Sequence, residues 1–583
     1  MSRYFTDGVP IDTRGIVVRR MGFYVAPGTP NLPAHGFNGI GRVAEVDAED
    51  IEVIGFAGAA LHFHWGADGI GVENPIDATY HPNKISVRNV KAVGCGRLFT
   101  FSSNYDVSAS GLRGINCKRL GELIPGDETN FYSNADDKPL VGGVIHISDF
   151  LLSGASLVNN IAALRIASIG TSRADDDPET GLGTRRLLNW RSVIIENGKI
   201  AGADNVFRGI DLTGAVGTIT LRNIDCSEVA RSTTGLRLAD NRGNIIVDNV
   251  TVGSATGIDW VRSWGVRCIN MDATMRDRSG LAGDLTGLAV TGTEYTTTLS
   301  ATKNSGDTSI SLVAALGAVL SPGDTILVGG HNVKVAGTRQ IRATETAVPI
   351  DAATWTASSG ATVYVDQRSV PKFHGKIALY DFGASLTGCK GVEISGSEFI
   401  DIAKQGVTGA PKGGFISNNR FVRGGQYRLT DAAYASRNVL LVAGAESVTL
   451  RDNDFGINAT YIDILVQTST DSGNLRIKDN ALGASINAEV SFATQSNARL
   501  DASQFNEFSG NYRKDGGPIS GPTAWYEILN NGIVRYHGTA APTRGFHRAG
   551  SEWFNTTPTV GQPAGGMCTV SGTPGTWASK GNL

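Results

Sequence analysis

A short motif that recurs along this chain constrains its fold more than any other feature. It reads apolar, any, apolar, any, Asn (or Asp), apolar. It appears as ISVRNV at Asn89, LRGINC at Asn116, IHISDF at Asp149, ITLRNI at Asn223, IIVDNV at Asn249 and VRCINM at Asn270. Later versions are FISNNRF at Asn419, VTLRDNDF at Asn453 and LRIKDNAL at Asn480. Alternation with a period of two marks a strand with one buried face. Asparagine tolerates the left-handed backbone conformation that a sharp bend needs, and its carboxamide can bond to the amide stacked on it. One such bend in each repeat of about 20–30 residues describes stacked coils of strand. The spacing from Asn89 to Asn116 is 27 residues, from Asn249 to Asn270 it is 21, and from Asn419 to Asn453 it is 34. Such irregular steps argue against propeller blades, which keep a steadier length. The expected fold is all-β: a right-handed parallel β-helix.

Composition agrees. The 583 residues include 74 Gly but only 5 Met, and 18% are charged, which suits strands and turns better than helices. The formal net charge of −3 gives no electrostatic case for nucleic acid as a partner. No apolar run is long enough for membrane insertion, and the opening MSRYFTDGVPIDTRG lacks the pattern of a signal peptide. The six cysteines have no zinc spacing and read as small core residues.

The ladder covers residues 1–291 and 371–500. Between them, 292–370 carries short strands with Gly-Asp turns (SGDTSISLV, SPGDTILVGG) and reads as a small all-β insertion. Residues 501–583, rich in aromatics and Gly/Pro turns, read as a separate β-rich C-terminal module for trimerisation or receptor binding.

Three segments align without gaps: GIDLTGAVG (209–217), GLRLADNRG (235–243) and GIDWVRSWG (257–265). The alignment places Asp211, Arg237 and Asp259 in one outward column and sets Trp260 beside Leu212 and Leu238, in the core. Asp211 and Asp259 would lie roughly 9.6 Å apart, at about 4.8 Å per rung. That is near the upper limit of the ~6.5–9.5 Å carboxyl separation of an inverting glycosidase. Asp240, in the middle turn, is a third candidate acid. Arg165, Arg237, Arg242 and Arg262 are candidates for gripping an acidic sugar, and Trp264 for stacking on a pyranose. The same column also reads as a plain cross-strand charge ladder, each pair contributing about 0.2–1 kcal/mol.

Other clusters are weaker. His62 and His64 share a strand face next to Trp65, with no third ligand in view. Asp175, Asp176 and Asp177 offer oxygen ligands, but such runs are mostly solvated, so no cofactor and no metal site is expected and calcium is unsupported. Glu398 and Asp401 lie beside a ladder bend and read as structural. No phosphate-binding loop and no serine-esterase elbow is present.

The tail GTAAPTRGFHRAGSEWFNTTP…GMCTVSGTPGTW, from Gly538 to Trp577, resembles a C-terminal module of bacteriophage tailspikes and related receptor-binding proteins. With the β-helix, the whole chain resembles a tailspike of the pectate-lyase-like superfamily. The resemblance implies a homotrimer on the virion tail, acting outside the host cell on a bacterial surface polysaccharide such as capsule, exopolysaccharide or O-antigen. It implies binding and depolymerisation of that polymer. Hydrolysis by paired carboxylates is favoured, with a lyase acting on a uronate polymer or a non-catalytic adhesin as alternatives. The family's Gly-Ala-x-Gly-Asp-Gly-x-x-Asp opening is not visible, and the chain starts close to strand-like sequence at RGIVVRRMGFYV. A preceding segment or a separate virion attachment protein is therefore expected to supply the N-terminal anchor.

Overall fold

A computed structural model describes residues 5–6, 9–10, 13–25, 35–40, 43–64, 82–102, 106–124, 140–141, 143–155, 162–168, 188–202, 208–281, 283–337, 340–352, 354–424, 436–442, 444–456, 462–466, 474–483, 488–492, 507–516, 519, 525–528, 533–543 and 546–582. Every element among them is a β-strand. Among the described residues, no helix is long and apolar enough to cross a membrane. Two compact units divide the chain: Met1–Ile269 with Gly292–Ser369, and Asn270–Thr291 with Val370–Leu583.

In the first unit each coil contributes one strand to each of two parallel sheets. The longer strands run from Thr13–Tyr24 and Val43–Ile54 through Asn83–Val93, Asp106–Ile115, Val144–Ala155, Leu188–Gly202 and Val216–Glu228 to Asn244–Val252, each paired in parallel with the next. The shorter strands run from Phe37–Ile40 and Ala59–His64 through Arg97–Ser102, Arg119–Ile124, Ala162–Ala167, Arg208–Thr213 and Thr234–Ala239 to Thr256–Val261. This is a parallel β-helix.

The bend explains the motif. In Asn244–Val252 the buried residues are Ile245 and Val247, then Val250 and Val252. The change of parity falls at Asn249, whose φ of 51° is left-handed. One left-handed residue shifts the alternation by one, so apolar side chains enter the core on both sides of a corner. Asn197, Asn223 and Asn249 stack through this corner, each later Nδ2 donating to the preceding Oδ1 at 2.9 Å.

Asn116 does not belong to this corner. The residue stacked on Asn89 is Gly111, at φ 65°. A Cβ there would meet the Asn89 Oδ1 at 2.7 Å, so only glycine fits. Asn116 occupies a second left-handed column, filled in neighbouring coils by Gly55, Gly94 and Gly154. The 27-residue step from Asn89 to Asn116 therefore joins two different corners.

In the second unit, Thr286–Thr291, Phe382–Leu386, Gln405–Gly409, Arg437–Leu441, Ile462–Val466 and Ala488–Phe492 form one parallel sheet. From Lys390 on, the other sheet is broken at the corner into two short strands per coil, such as Lys412–Ser417 followed by Arg420–Val422, each paired with its counterpart in the preceding coil. The motif is read one place later here. The left-handed residues are Asn418, Asp452 and Asp479, not Asn419, Asn453 and Asn480. The turn drives the following asparagine inward, where it is buried. Asn453 Nδ2 donates to the Ile416 carbonyl at 2.9 Å and to Asn480 Oδ1 at 2.9 Å, while its Oδ1 accepts from Asn419 Nδ2 at 3.0 Å and from the Asn419 amide at 3.1 Å. Phe399, Phe421 and Phe455 stack beside it with centroids 4.8 Å apart. Asn453→Ala strands buried donors and acceptors on both adjacent rungs, each orphan costing about 1–3 kcal/mol. It is expected to lower the thermal unfolding midpoint of this unit, followed by circular dichroism, whereas Asn223→Ala on the exposed ladder of the first unit leaves the midpoint of that unit nearly unchanged.

The coil continues past residue 500. Glu507–Ser509 and Tyr512–Arg513 pair in parallel with Arg476–Lys478 and Ala481–Leu482, and Asn511 joins the buried ladder. The expected boundary came early because the motif fades in the last coil. Beyond it, Trp525–Ile528, Val534–Gly538, Glu552–Asn555, Gly565–Val570 and Thr576–Ser579 form a mostly antiparallel module around Val534, Tyr536 and Trp553.

The insertion packs its own core, including Ile310, Leu320, Ile326, Val348 and Val363. It is an internal duplication. Asp307 accepts the Asn304 amide and Glu345 accepts the Arg342 amide, and 304 and 307 lie 38 residues before 342 and 345. Ile310 pairs directly with its counterpart Val348 where Ser309–Ser311 runs antiparallel to Ala347–Pro349. The bridge Lys303–Ala357 is mirrored by Ile341–Leu320. Among the places where the halves differ, the buried Lys303 stands opposite Ile341 and the buried Asp324 opposite Ala361.

Candidate functional site

The strands Arg208–Thr213, Thr234–Ala239 and Thr256–Val261 pair without a slip, so Asp211, Arg237 and Asp259 stand in one row. The row extends upstream through Arg165, Glu122, Thr100 and His62 to Asn38, one residue per rung. It lies on the outer face. On the inner face the flanking residues Ile210, Leu212, Leu236, Leu238, Ile258 and Trp260 are fully buried, and the Trp260 indole N–H donates to the Ser263 carbonyl at 3.0 Å.

A second row adds Arg97, Arg119 and Arg208. Glu122 is ion-paired with Arg97 and, at 2.9 Å, with Arg119. Asp211 receives Arg208 at 2.6 Å on Oδ2 and the Thr213 hydroxyl on Oδ1. Burial, together with the neighbouring Arg97 and Arg165 charges, brings the Arg119 guanidinium down to about 9. Burial also lowers Arg165, with Asp211 opposing. Most of the row is shielded: Glu122 and Asp211 are only 5% and 6% exposed.

The row opens at its last two rungs, where the Arg237 and Asp259 side chains are 27% and 25% exposed. Their contact is loose, Arg237 Nε lying 3.9 Å from Asp259 Oδ2, and the buried Nε–H has no acceptor. Burial raises the Asp259 carboxyl; Arg237 and Arg208 oppose this and Asp211 adds to it. The arrangement combines a carboxyl that holds its proton more tightly than usual, an arginine with an unused N–H, and a carboxylate two rungs away.

No protein-family model matches this chain, and no curated protein matches it. Among solved structures, the mannuronan C-5 epimerase AlgE4 A-module of Azotobacter vinelandii is similar over 81% of this chain and 87% of that chain, at 11% identity and a TM-score of 0.30. What the row can do chemically therefore rests on this chain's own residues.

Four expected site residues are placed away from the row. Arg242 is buried and paired with Asp324 of the insertion at 3.2 Å, and it donates to the Arg262 carbonyl at 2.6 Å. Its guanidinium lies 3.3 Å above the Trp264 ring, so a ring face expected to stack on sugar is already covered. Asp240 is gripped by both Arg262 Nε and Nη2, at 2.7 and 2.8 Å, so this acid and this arginine satisfy each other at a corner where both are left-handed. Charge pattern alone could not separate these corner pairs from the row, because both lie on outward positions of the same coils.

Among the weaker candidates, His62 Nδ1 bonds to Asn38 Oδ1 at 2.8 Å and its ring stacks on His35 with centroids 3.8 Å apart. Asp401 pairs with Arg423 and Glu398 with Arg420, rung to rung. The His64 side chain, Trp65 and the run Asp175–Asp177 lie outside the described residues. Among the described residues, no group of three or more His, Cys, Asp or Glu could hold a metal ion. Sequence reasoning passed over Glu122, Arg97, Arg119 and Arg208. The signal was present in FTF, GEL and LRI, which continue the apolar–polar–apolar beat of IDL upstream.

Proposed function

We propose that this protein is a tailspike-like spike that binds a bacterial surface polysaccharide and cuts it by glycosidic hydrolysis. The observation that carries this reading is the in-register row Asp211–Arg237–Asp259, open to solvent at its Asp259 end. Asp259, its proton held by burial, donates to the leaving glycosidic oxygen. Asp211, a carboxylate fixed by Arg208 and Thr213, sits two rungs away, roughly 9.6 Å by rung spacing. That is at the upper limit of the ~6.5–9.5 Å separation of an inverting hydrolase, with Arg237 on the rung between the two acids. One observation favours the lyase alternative: the arginines around the row outnumber its acids, which suits neutralising a uronate during elimination.

Incubating the purified protein with capsule, exopolysaccharide or O-antigen is expected to give shorter chains with new reducing ends. Products that absorb as unsaturated uronates would instead establish elimination. Polymer that is retained but stays intact would leave a non-catalytic adhesin. The same reading includes a homotrimer. The expected light-scattering mass is three times the 61.3 kDa of one chain, and a monomer would contradict it.

A further inference from the structure

The outer row and its companion row hold five guanidiniums, Arg97, Arg119, Arg165, Arg208 and Arg237, against three carboxylates, Glu122, Asp211 and Asp259. Poorly solvated positive charge is favoured by anionic partners. Four of the arginines are committed to carboxylates or lie deep in the row. Arg237, at 27%, is more exposed than Arg97 at 22%, Arg208 at 17% and Arg119 at 12%. Its rung neighbours leave it incompletely matched: Asp211 is taken on both oxygens by Arg208 and Thr213, and Asp259 is 3.9 Å away, beyond hydrogen-bond reach. Its Nε–H is buried and faces no acceptor, so this chain does not fill the guanidinium's donor capacity.

We infer that the polymer is acidic, and that a carboxylate (or an equivalent oxyanion) on the sugar seats on Arg237 between Asp211 and Asp259. This deepens the proposed function and rests on it for the location of the site. The two roles support each other. When Asp259 carries its proton, ready to donate, Arg237 has lost its nearest opposing charge, and an anionic sugar restores it. A neutral sugar leaves the guanidinium without that compensation. Arg237 is thus a specificity-determining residue that distinguishes a uronate from the corresponding neutral hexose.

The test measures binding without turnover. Affinity electrophoresis of the full chain is run at fixed ionic strength in gels containing polygalacturonate, hyaluronan or alginate, and in parallel gels containing each polymer after carboxyl reduction. At least one acidic polymer is expected to retard the wild-type protein, with its reduced form at least tenfold weaker. Arg237→Gln is expected to lose that difference, and Arg237→Lys, which keeps the charge but not the fork, to retain part of it. Circular dichroism confirms that both variants keep the coil. Retardation by none of the acidic polymers, equal retardation by reduced and acidic forms, or unchanged retardation of Arg237→Gln each overturns the inference. The outcomes separate it from the cleavage reading. A neutral polymer cut equally well by wild type and Arg237→Gln sinks only the inference. An acidic polymer bound through Arg237 but never cut sinks only the cleavage.

Discussion

Asp259→Asn is expected to leave the coil folded and to remove cleavage. The carboxamide fills the same space beside Arg237 but has no proton to give, and general acid catalysis contributes typically about 10²–10⁴-fold to such a step. The pH profile carries the same assignment. Burial raises the Asp259 carboxyl above the ordinary value of about 3.9, so the protonated, working form persists to higher pH than for an exposed aspartate. Activity should fall as pH rises through that raised value. Stability has the same sign, because a group that binds its proton more tightly when folded stabilises the fold at low pH. That contribution is lost as pH rises from the unfolded value through the folded one, so Asp259→Asn should be no less stable than wild type at neutral pH and less sensitive to alkaline shifts. Asp211→Asn should also abolish cleavage. The cost in stability should be greater there, because Arg208 loses a carboxylate partner in a site only 6% exposed. Wild-type rates from both variants would remove the site assignment.

Arg242→Ala should be the most damaging single change to the first unit. Arg242 and Asp324 are each only 7% exposed in their side chains, and their pair joins a corner of the coil to the insertion. Removing one partner of such a pair costs about 3–5 kcal/mol, because the other charge stays buried alone. Burial already pushes the Asp324 carboxyl up, and Arg242 is the first of the neighbours that hold it down. Without Arg242 the carboxyl should bind its proton at a higher pH still, making the damage worse at neutral pH than in mild acid. Asp324→Ala should cost less, because Arg242 keeps the carbonyls of Asn241 and Arg262 and the face of Trp264. The duplicate half of the insertion carries Ala361 at the matching place, so the backbone accepts alanine there. The double variant should recover much of the loss from Arg242→Ala. Thermal unfolding and limited proteolysis across 292–369 measure all three; additive effects would show that the pair does not couple the two parts.

The site was legible in proportion to how local its cause is. Asp211, Arg237 and Asp259 fall in register because the glycine-bounded segments have equal length, and a parallel coil transmits equal lengths as equal positions. Trp260 is core for the same reason, sharing its place with Leu212 and Leu238. Arg242 was misplaced because its partner, Asp324, lies 82 residues away in a module with a different pattern, and Trp264 because Arg242 covers its ring. Asp240 and Arg262 read as free charges because a bidentate pair between neighbouring coils leaves no mark in either segment alone.

What the sequence by itself determined is the coil. Its causes are alternate burial and a left-handed residue at each corner, both properties of a few consecutive residues repeated along the chain. What only the tertiary structure decided is which corner each asparagine turns, and which outward charges are already matched. The first depends on how coils of unequal length stack: Asn116 turns with Gly94, while Gly111 turns with Asn89. The second depends on distances through space, and those leave Arg237 and Asp259 more open than Glu122 and Asp211 in the same row.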